Sequence, residues 1–193
     1  KLAKRATGRS QIIAARKAYH GNTQGSLSIM DYELRKQPFR PLLPDVAWIE
    51  FNNEAELEKI TTRTAGVVLE TIQGGAGFIT PENDYLAKVK QRCQEVGALL
   101  ILDEIQPGFG RTGKLFGFQN YHVVPDIIAI GKGMASGLPC GAFVASYELM
   151  HLLADKPKMS HITTFGGNPV VAAASLATLD ELLTSSLMQE TLE

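Results

Sequence analysis

"AGVVLETIQGGAGFITPENDYLAKVKQRCQEVGALLILDE" (residues 65–104) holds two apolar runs, each closed by an acid, with a glycine-rich loop and a helical stretch between them. The runs "AGVVLE" (65–70) and "ALLILDE" (98–104) lack the alternation of a half-exposed strand, so they read as strands buried on both faces. Between them "PENDYLAKVKQRCQEVG" (81–97) predicts a helix. Pro81 and the acids after it suit a first turn, and Gly97 suits the close. Strand, helix, strand at this rhythm predicts neighbouring parallel strands with the helix on one face.

The same alternation extends both ways. Further β-rich runs are "SQIIAARKAY" (10–19), "VAWIEF" (46–51), "DIIAIGK" (126–132) and "GAFVASY" (141–147), and "EAELEKITTRT" (54–64) predicts another helix. "KQPFRPLLPD" (36–45) is a proline-punctuated loop, and no repeat or low-complexity segment divides the chain. The expected architecture is α/β, a mainly parallel sheet with helices on both faces, in one domain or most of one. "KLAKRATGR" reads as the closing turns of a helix stopped by Gly8, and "NPVVAAASLATLDELLTSSLMQETLE" (168–193) as an amphipathic helical stretch. Neither has its other boundary signal, which predicts that these residues belong to a longer protein.

Composition narrows the partners. Among 193 residues, 45% are hydrophobic and 20% charged with a net charge of -1, so no basic footprint points to nucleic acid and none to an acidic membrane surface. No window approaches a membrane span and residues 1–20 lack a signal-peptide layout, which makes a cytoplasmic protein the expectation. Cys93 and Cys140 have the spacing of neither a disulfide framework nor a zinc site, so both are expected to be reduced structural thiols, with no metal.

Chemistry is expected where strands end, because ligands of open α/β sheets bind beyond the carboxyl ends of the strands. Glu70 closes one strand, Asp103 and Glu104 a second, and Lys132 a third. Glycine-rich loops surround them: "QGGAG" (73–77), "PGFGRTG" (107–113), "GKGMASG" (131–137) and "FGG" (165–167), a pattern that suits close backbone approach to a flat or phosphorylated ligand as well as plain turns. "GFGRTG" (108–113) matches G-x-G-x-x-G, but no helix signal follows and the next acid, Asp126, comes too early, so a nicotinamide-binding reading is set aside. A strand-end lysine beside an acid has a more specific use. Its amine condenses with an aldehyde to a Schiff base, and an acid keeps a pyridine nitrogen protonated, which are the two demands of pyridoxal phosphate. A plain ion pair at the rim is the bland alternative.

"LLILDEIQPGFGRTGKLFGFQ", "PDIIAIGKGMASGLPCGAFVAS" and "TTFGGNP" together resemble the class III aminotransferases, the ornithine, acetylornithine and 4-aminobutyrate type, and the likeness extends to "AYHGNTQGS" and "VVLETIQGGAGF". The resemblance implies the large domain of a fold type I enzyme over residues 1–193, incomplete, with pyridoxal 5'-phosphate as cofactor. It implies that Lys132 carries the cofactor and moves the proton, Asp103 pairs with the ring nitrogen, Gln106 contacts the ring hydroxyl oxygen and Tyr19 stacks on the ring, with His20 helping to seat it. Thr164 matches the threonine that reaches a cofactor phosphate, usually the neighbouring subunit's, which implies a homodimer with shared sites. The implied reaction moves an amino group, the terminal one of an ornithine-like or other ω-amino acid, to a 2-oxo acid such as 2-oxoglutarate. The same apparatus also runs mutase and decarboxylase chemistry, and a silent cofactor-binding fragment is a further alternative.

Three positions depart from the family pattern. Asn22 stands where ornithine-type members usually have an arginine that holds a substrate carboxylate, Thr71 replaces a proline, and Gly75 replaces a glutamate that gates substrate choice. Glu70 matches the family's first glutamate near the cofactor, and it and Asn22 are the candidate substrate-side residues. The resemblance also places a phosphate-binding Ser-Gly-x-Glu-Ala-Asn stretch and a C-terminal small domain outside these residues. The 193 residues alone are therefore expected to show little or no transaminase activity, which an assay with glutamate as donor checks.

Overall fold

A computed structural model describes residues 1–193 apart from Asp155, Lys156, Ser160, Leu192 and Glu193. Strands β1 (Gln11–Ala15), β2 (Val46–Ile49), β3 (Thr64–Glu70), β4 (Leu99–Asp103), β5 (Ile127–Gly131) and β6 (Gly141–Ala145) form one six-stranded sheet in the order β2-β1-β3-β4-β5-β6. The first five are parallel and β6 runs antiparallel to β5. Helices are α1 (Leu2–Thr7), α2 (Gln24–Ile29), α3 (Glu33–Lys36), α4 (Tyr85–Val96), α5 (Tyr147–His151), α6 (Pro169–Thr184) and α7 (Leu187–Glu190).

Both faces of the sheet are covered, as a parallel sheet requires. On one, Ile13, Val67, Leu69, Leu100 and Leu102 pack with Leu86, Val89, Cys93 and Val96 of α4 in the main core. On the other, α1 lies so close to β3 that a Cβ at Gly66 would stand 3.1 Å from the Ala3 Cβ and 3.2 Å from the Leu99 carbonyl oxygen. Glycine at position 66 is the condition for that approach. Arg9 fixes the far end of α4, its guanidinium donating to the Val96 and Gly97 carbonyls at 2.8 and 3.0 Å. Asp126 joins α4 to the sheet, pairing with Lys90 at 2.6 Å and accepting from the Leu100 amide at 2.8 Å.

Three boundaries differ from the sequence expectation. The first strand stops at Ala15, since Lys17 takes φ 61 and turns the chain. Residues 54–59 form a 3-10 helix rather than an α-helix over 54–64, because only Leu57 is buried and Asn53 caps a single tight segment. The helix expected from Pro81 begins at Tyr85: Asn83 and Asp84 both have positive φ, and the Glu82 amide is held by Asn52 Oδ1 at 3.1 Å. At the other end Gly8 and Gly97 stop α1 and α4 in left-handed conformation, as the sequence indicates. The stretch 168–193 divides into α6 and α7, and its last two residues lie outside those described.

Cys93 is buried, which pushes its thiol up to about 12, whereas Cys140 is only half-buried. Both are unpaired. Among the described residues no helix is long and apolar enough to cross a membrane and no His, Cys, Asp and Glu cluster could hold a metal ion.

Gly66→Ala is expected to lower stability by about 1–3 kcal/mol through overpacking between α1 and β4. Thermal or denaturant unfolding of the variant checks it, and an unchanged midpoint would show that α1 is not seated as described.

Candidate active site

Parallel pairing brings the functional ends together. Glu70 on β3 lies directly opposite Asp103 on β4, and Asp103 opposite Ala129 on β5, three residues before Lys132. Tyr19, His20, Gly21, Glu70, Asp103, Ile105, Gln106, Pro107 and Lys132 line one cavity of about 80 Å³ at this rim. That volume receives one edge of a ring rather than a whole phosphorylated cofactor. Lys132 also lines two roomier cavities, of about 540 and 680 Å³, beside it.

Lys132 is itself exposed at the tip of a buried strand, so its aliphatic neighbours are buried but its amine is accessible. It occupies φ 43, an uncommon conformation for a residue with a Cβ, at the head of a 3-10 turn (132–135). The glycines around it have packing causes. A Cβ at Gly133 would meet the Phe109 Cβ at 3.1 Å. The Lys132 amine has Gln106 Oε1 as a partner at 3.4 Å, a long contact that leaves it free to react.

Asp103 is held on both oxygens. The His20 ring nitrogen Nδ1 donates to Oδ2 at 2.8 Å and the Ile105 amide to Oδ1 at 3.0 Å. A carboxylate only accepts, so Nδ1 carries the proton in this pair. The His20 side chain is 3% exposed, and Nε2 is buried without a hydrogen-bond partner among the described residues. The imidazole thus orients Asp103 through Nδ1.

Glu70 is committed to the main chain. Its oxygens accept from the Tyr19 amide at 2.9 Å and the Gly74 amide at 3.3 Å. Burial pushes its carboxyl above the ordinary range, the two amides and His20 oppose the shift, and nearby Asp103 adds to it. Glu70 thus ties the loop bearing Tyr19 to the loop after β3. A Cβ at Gly74 would stand 2.7 Å from Gln106 Oε1, so a side chain there would displace the Gln106 amide. Tyr19 keeps 39% of its surface exposed, so a ring face is open beside the lysine.

Two candidate residues lie elsewhere. Asn22 is exposed and lines a neighbouring cavity of about 650 Å³ with Gln24, Leu27, Leu34, Arg35, Pro38 and Phe39. Thr164 is exposed on the turn before α6 and joins none of the three cavities that share Lys132. The G-x-G-x-x-G stretch opens no helix; residues 107–114 are turns. Sequence reasoning named Glu104 only as a strand-end acid. It is fully buried, and its adjacency to Asp103 was the one signal of its importance.

An open, mainly parallel sheet with an accessible lysine, an oriented carboxylate, an amide and an aromatic side chain at its carboxyl rim has the architecture of fold type I. The family model described as aminotransferase class-III matches residues 1–193, and the chain belongs to that family. It is 42% identical over 191 residues to a putrescine aminotransferase from Pectobacterium atrosepticum, covering 95% of this chain and 41% of that relative. Among solved structures, the ornithine aminotransferase from Toxoplasma gondii ME49 superposes with a TM-score of 0.91 at 29% identity, over 97% of this chain and 46% of that one. An amine transaminase from an uncultivated Pseudomonas species, in the pyridoxal-phosphate-bound form, gives 0.85 at 27% identity, over 94% and 49%. The chain spans rather less than half the length of these relatives.

Glu70→Gln provides a check on the electrostatics. A carboxyl raised by burial contributes stability that is full below the unfolded value of about 4.3 and is lost as pH rises through the folded value. Relative to the glutamine variant, the native protein is therefore expected to lose unfolding free energy as pH goes from about 4 to 7. Denaturant titrations of both proteins across that range read the difference, and a trend in the opposite direction would contradict the assignment.

Proposed function

We propose that residues 1–193 form the cofactor-binding large domain of a longer pyridoxal-phosphate-dependent transaminase, which moves the amino group of an ω-amino acid or a similar terminal amine to a 2-oxo acid such as 2-oxoglutarate. The observation that carries the proposal is the convergence of Lys132, Asp103, Gln106, Tyr19, His20 and Glu70 on one cavity at the strand ends. The donor set suits the cofactor: a loosely partnered amine, an anionic acceptor, an amide and an open ring face.

When bound, pyridoxal phosphate supplies a carbonyl for the amine and a ring that withdraws electrons from a substrate carbanion. Lys132 would hold it through Nζ and, once displaced by the incoming amine, take up and return the substrate proton at that same nitrogen. Asp103, aimed by His20 and the Ile105 amide, would keep a proton on the ring nitrogen. Tyr19 would cover one ring face and Gln106 would donate to the ring hydroxyl oxygen. Glu70 would keep Tyr19 in place through its amide, which is a better fit to its hydrogen bonds than a substrate contact. One site serves amino donor and acceptor in turn, so the kinetics would be ping-pong.

The partner assignment is a homodimer with shared sites. Thr164 and its neighbours Ile162 and Phe165 are exposed, the phenylalanine at 79%, and so are Val170, Leu176 and Leu183 along α6, which suits a surface to be covered by a second copy or by further chain. The two unpaired thiols suit a reducing compartment such as the cytoplasm.

In the intact protein, borohydride is expected to fix pyridoxal phosphate on Lys132, located by peptide mapping, and Lys132→Ala to abolish that label. Transamination by the variant should fall by about a hundredfold to ten-thousandfold or more, the range that a lost proton-transfer group commands. A label on a different lysine, or normal turnover by the variant, would overturn the proposal.

A further inference from the structure

Glu104 is fully buried, next in sequence to Asp103 and two residues before Gln106, yet its carboxylate points to neither. Its Oε1 accepts from the Thr71 hydroxyl at 2.5 Å and the Phe118 amide at 2.9 Å, and its Oε2 accepts from the Gly117 amide at 2.8 Å. Its backbone is fixed as well. The amide donates to the Ala129 carbonyl at 2.8 Å and the carbonyl accepts from the Gly108 amide at 3.0 Å. The enclosure is tight: a Cβ at Gly108 would come within 2.6 Å of the Glu104 carbonyl oxygen, and one at Gly117 within 3.4 Å of Oε2.

Thr71 links Glu104 to Asp103. Besides its hydroxyl bond to Glu104, its amide donates to the Asp103 carbonyl at 3.4 Å. A proline at this position would provide neither donor. Thr71 is buried with no exposed surface, so its hydroxyl has no water to turn to.

We infer that Glu104 is a positioning residue whose bonds to Thr71, Gly117 and Phe118 fix the turn 103–108 and thereby the placement of Asp103 and Gln106 around the cofactor, with the Thr71 hydroxyl as an essential part of the clamp. The inference rests on the proposed cofactor reading. Among the described residues three donors and no acceptor face the carboxylate, which matches an anion. Burial and nearby Asp103 push its carboxyl above the ordinary range, and those three donors oppose the shift. An anion accepting charge-assisted bonds in a dry setting resists displacement more than a neutral amide would, because glutamine presents two N–H groups to donors that need an oxygen.

Three variants of the intact protein test this. Thr71→Val keeps the volume and removes the hydroxyl; Thr71→Ser keeps the hydroxyl and removes a methyl; Glu104→Gln removes the charge. Thr71→Val is expected to weaken pyridoxal phosphate binding and lower kcat by about tenfold each, with KM for the amino donor within about twofold, while Thr71→Ser stays within about twofold of the native protein throughout. In the cofactor-free protein, hydrogen exchange at the Gly117 and Phe118 amides should quicken at least about tenfold in Glu104→Gln and in Thr71→Val. A packing role predicts the reverse order, with Thr71→Ser the weaker binder and Thr71→Val near native, and that result would overturn the inference. Unchanged exchange at both amides in Glu104→Gln would do so too. If the native protein takes up no pyridoxal phosphate, it is the cofactor reading that fails, and the exchange experiment still decides whether the clamp exists.

Discussion

Burying a carboxylate is expensive unless donors surround it. This chain buries three at neighbouring strand ends: Glu70, Asp103 and Glu104. Each has at least one partner from distant sequence. Tyr19 and Gly74 amides serve Glu70, His20 and the Ile105 amide serve Asp103, and Thr71 with the Gly117 and Phe118 amides serves Glu104. The loops after β1, after β3 and before β5 therefore meet at one rim for a single reason. Their backbone amides, with the His20 ring and the Thr71 hydroxyl, are the counter-groups of buried acids.

That constraint also shapes reactivity. Donors that are main-chain amides cannot swing away as side chains can, so the acids keep fixed directions and little reorganisation is left for a reaction step. Lys132 sits differently, with a single long contact to Gln106 among the described residues and an exposed side chain. A rigid acidic frame around a loosely held amine is the division of labour that condensation with a carbonyl needs, since the nitrogen must leave and return while the charges stay still.

Much of this was legible in the sequence because burial writes itself into composition. "VVLE" and "LLILD" announced strands covered on both faces, and the polar residue ending each run named Glu70, Asp103 and Lys132. Lys132 itself is exposed, because one residue past Gly131 the chain has left the sheet. "EAELEKITTRT" was misread since a single buried leucine does not distinguish a 3-10 turn from a helix, and the start of α4 was misplaced because positive φ at Asn83 and Asp84 leaves no trace in hydropathy. The partners of Glu70 and Glu104 were invisible for a deeper reason. Apart from the Thr71 hydroxyl they are backbone amides, which every residue carries, so no pattern of side chains records which of them is used. The glycines were half legible: their clustering marked the rim, but Gly74 makes room for Gln106 and Gly133 for Phe109, packing needs within the protein rather than room for a ligand.

The direction of the last strand completes the logic of the rim. Five parallel strands deliver their carboxyl ends to one side, and a sixth parallel strand would have required the chain to leave Lys132 and cross the sheet by a helix. By running antiparallel, β6 begins at that same side, with Gly141 opposite Gly131, so residues 132–140 turn back at once. Lys132 then stands at the head of a short connection anchored at both ends by the β5–β6 ladder, with its turn seated against Phe109. An amine that must move through several positions is thereby attached to backbone that is held on both sides, and freedom is confined to the four methylenes of its own side chain.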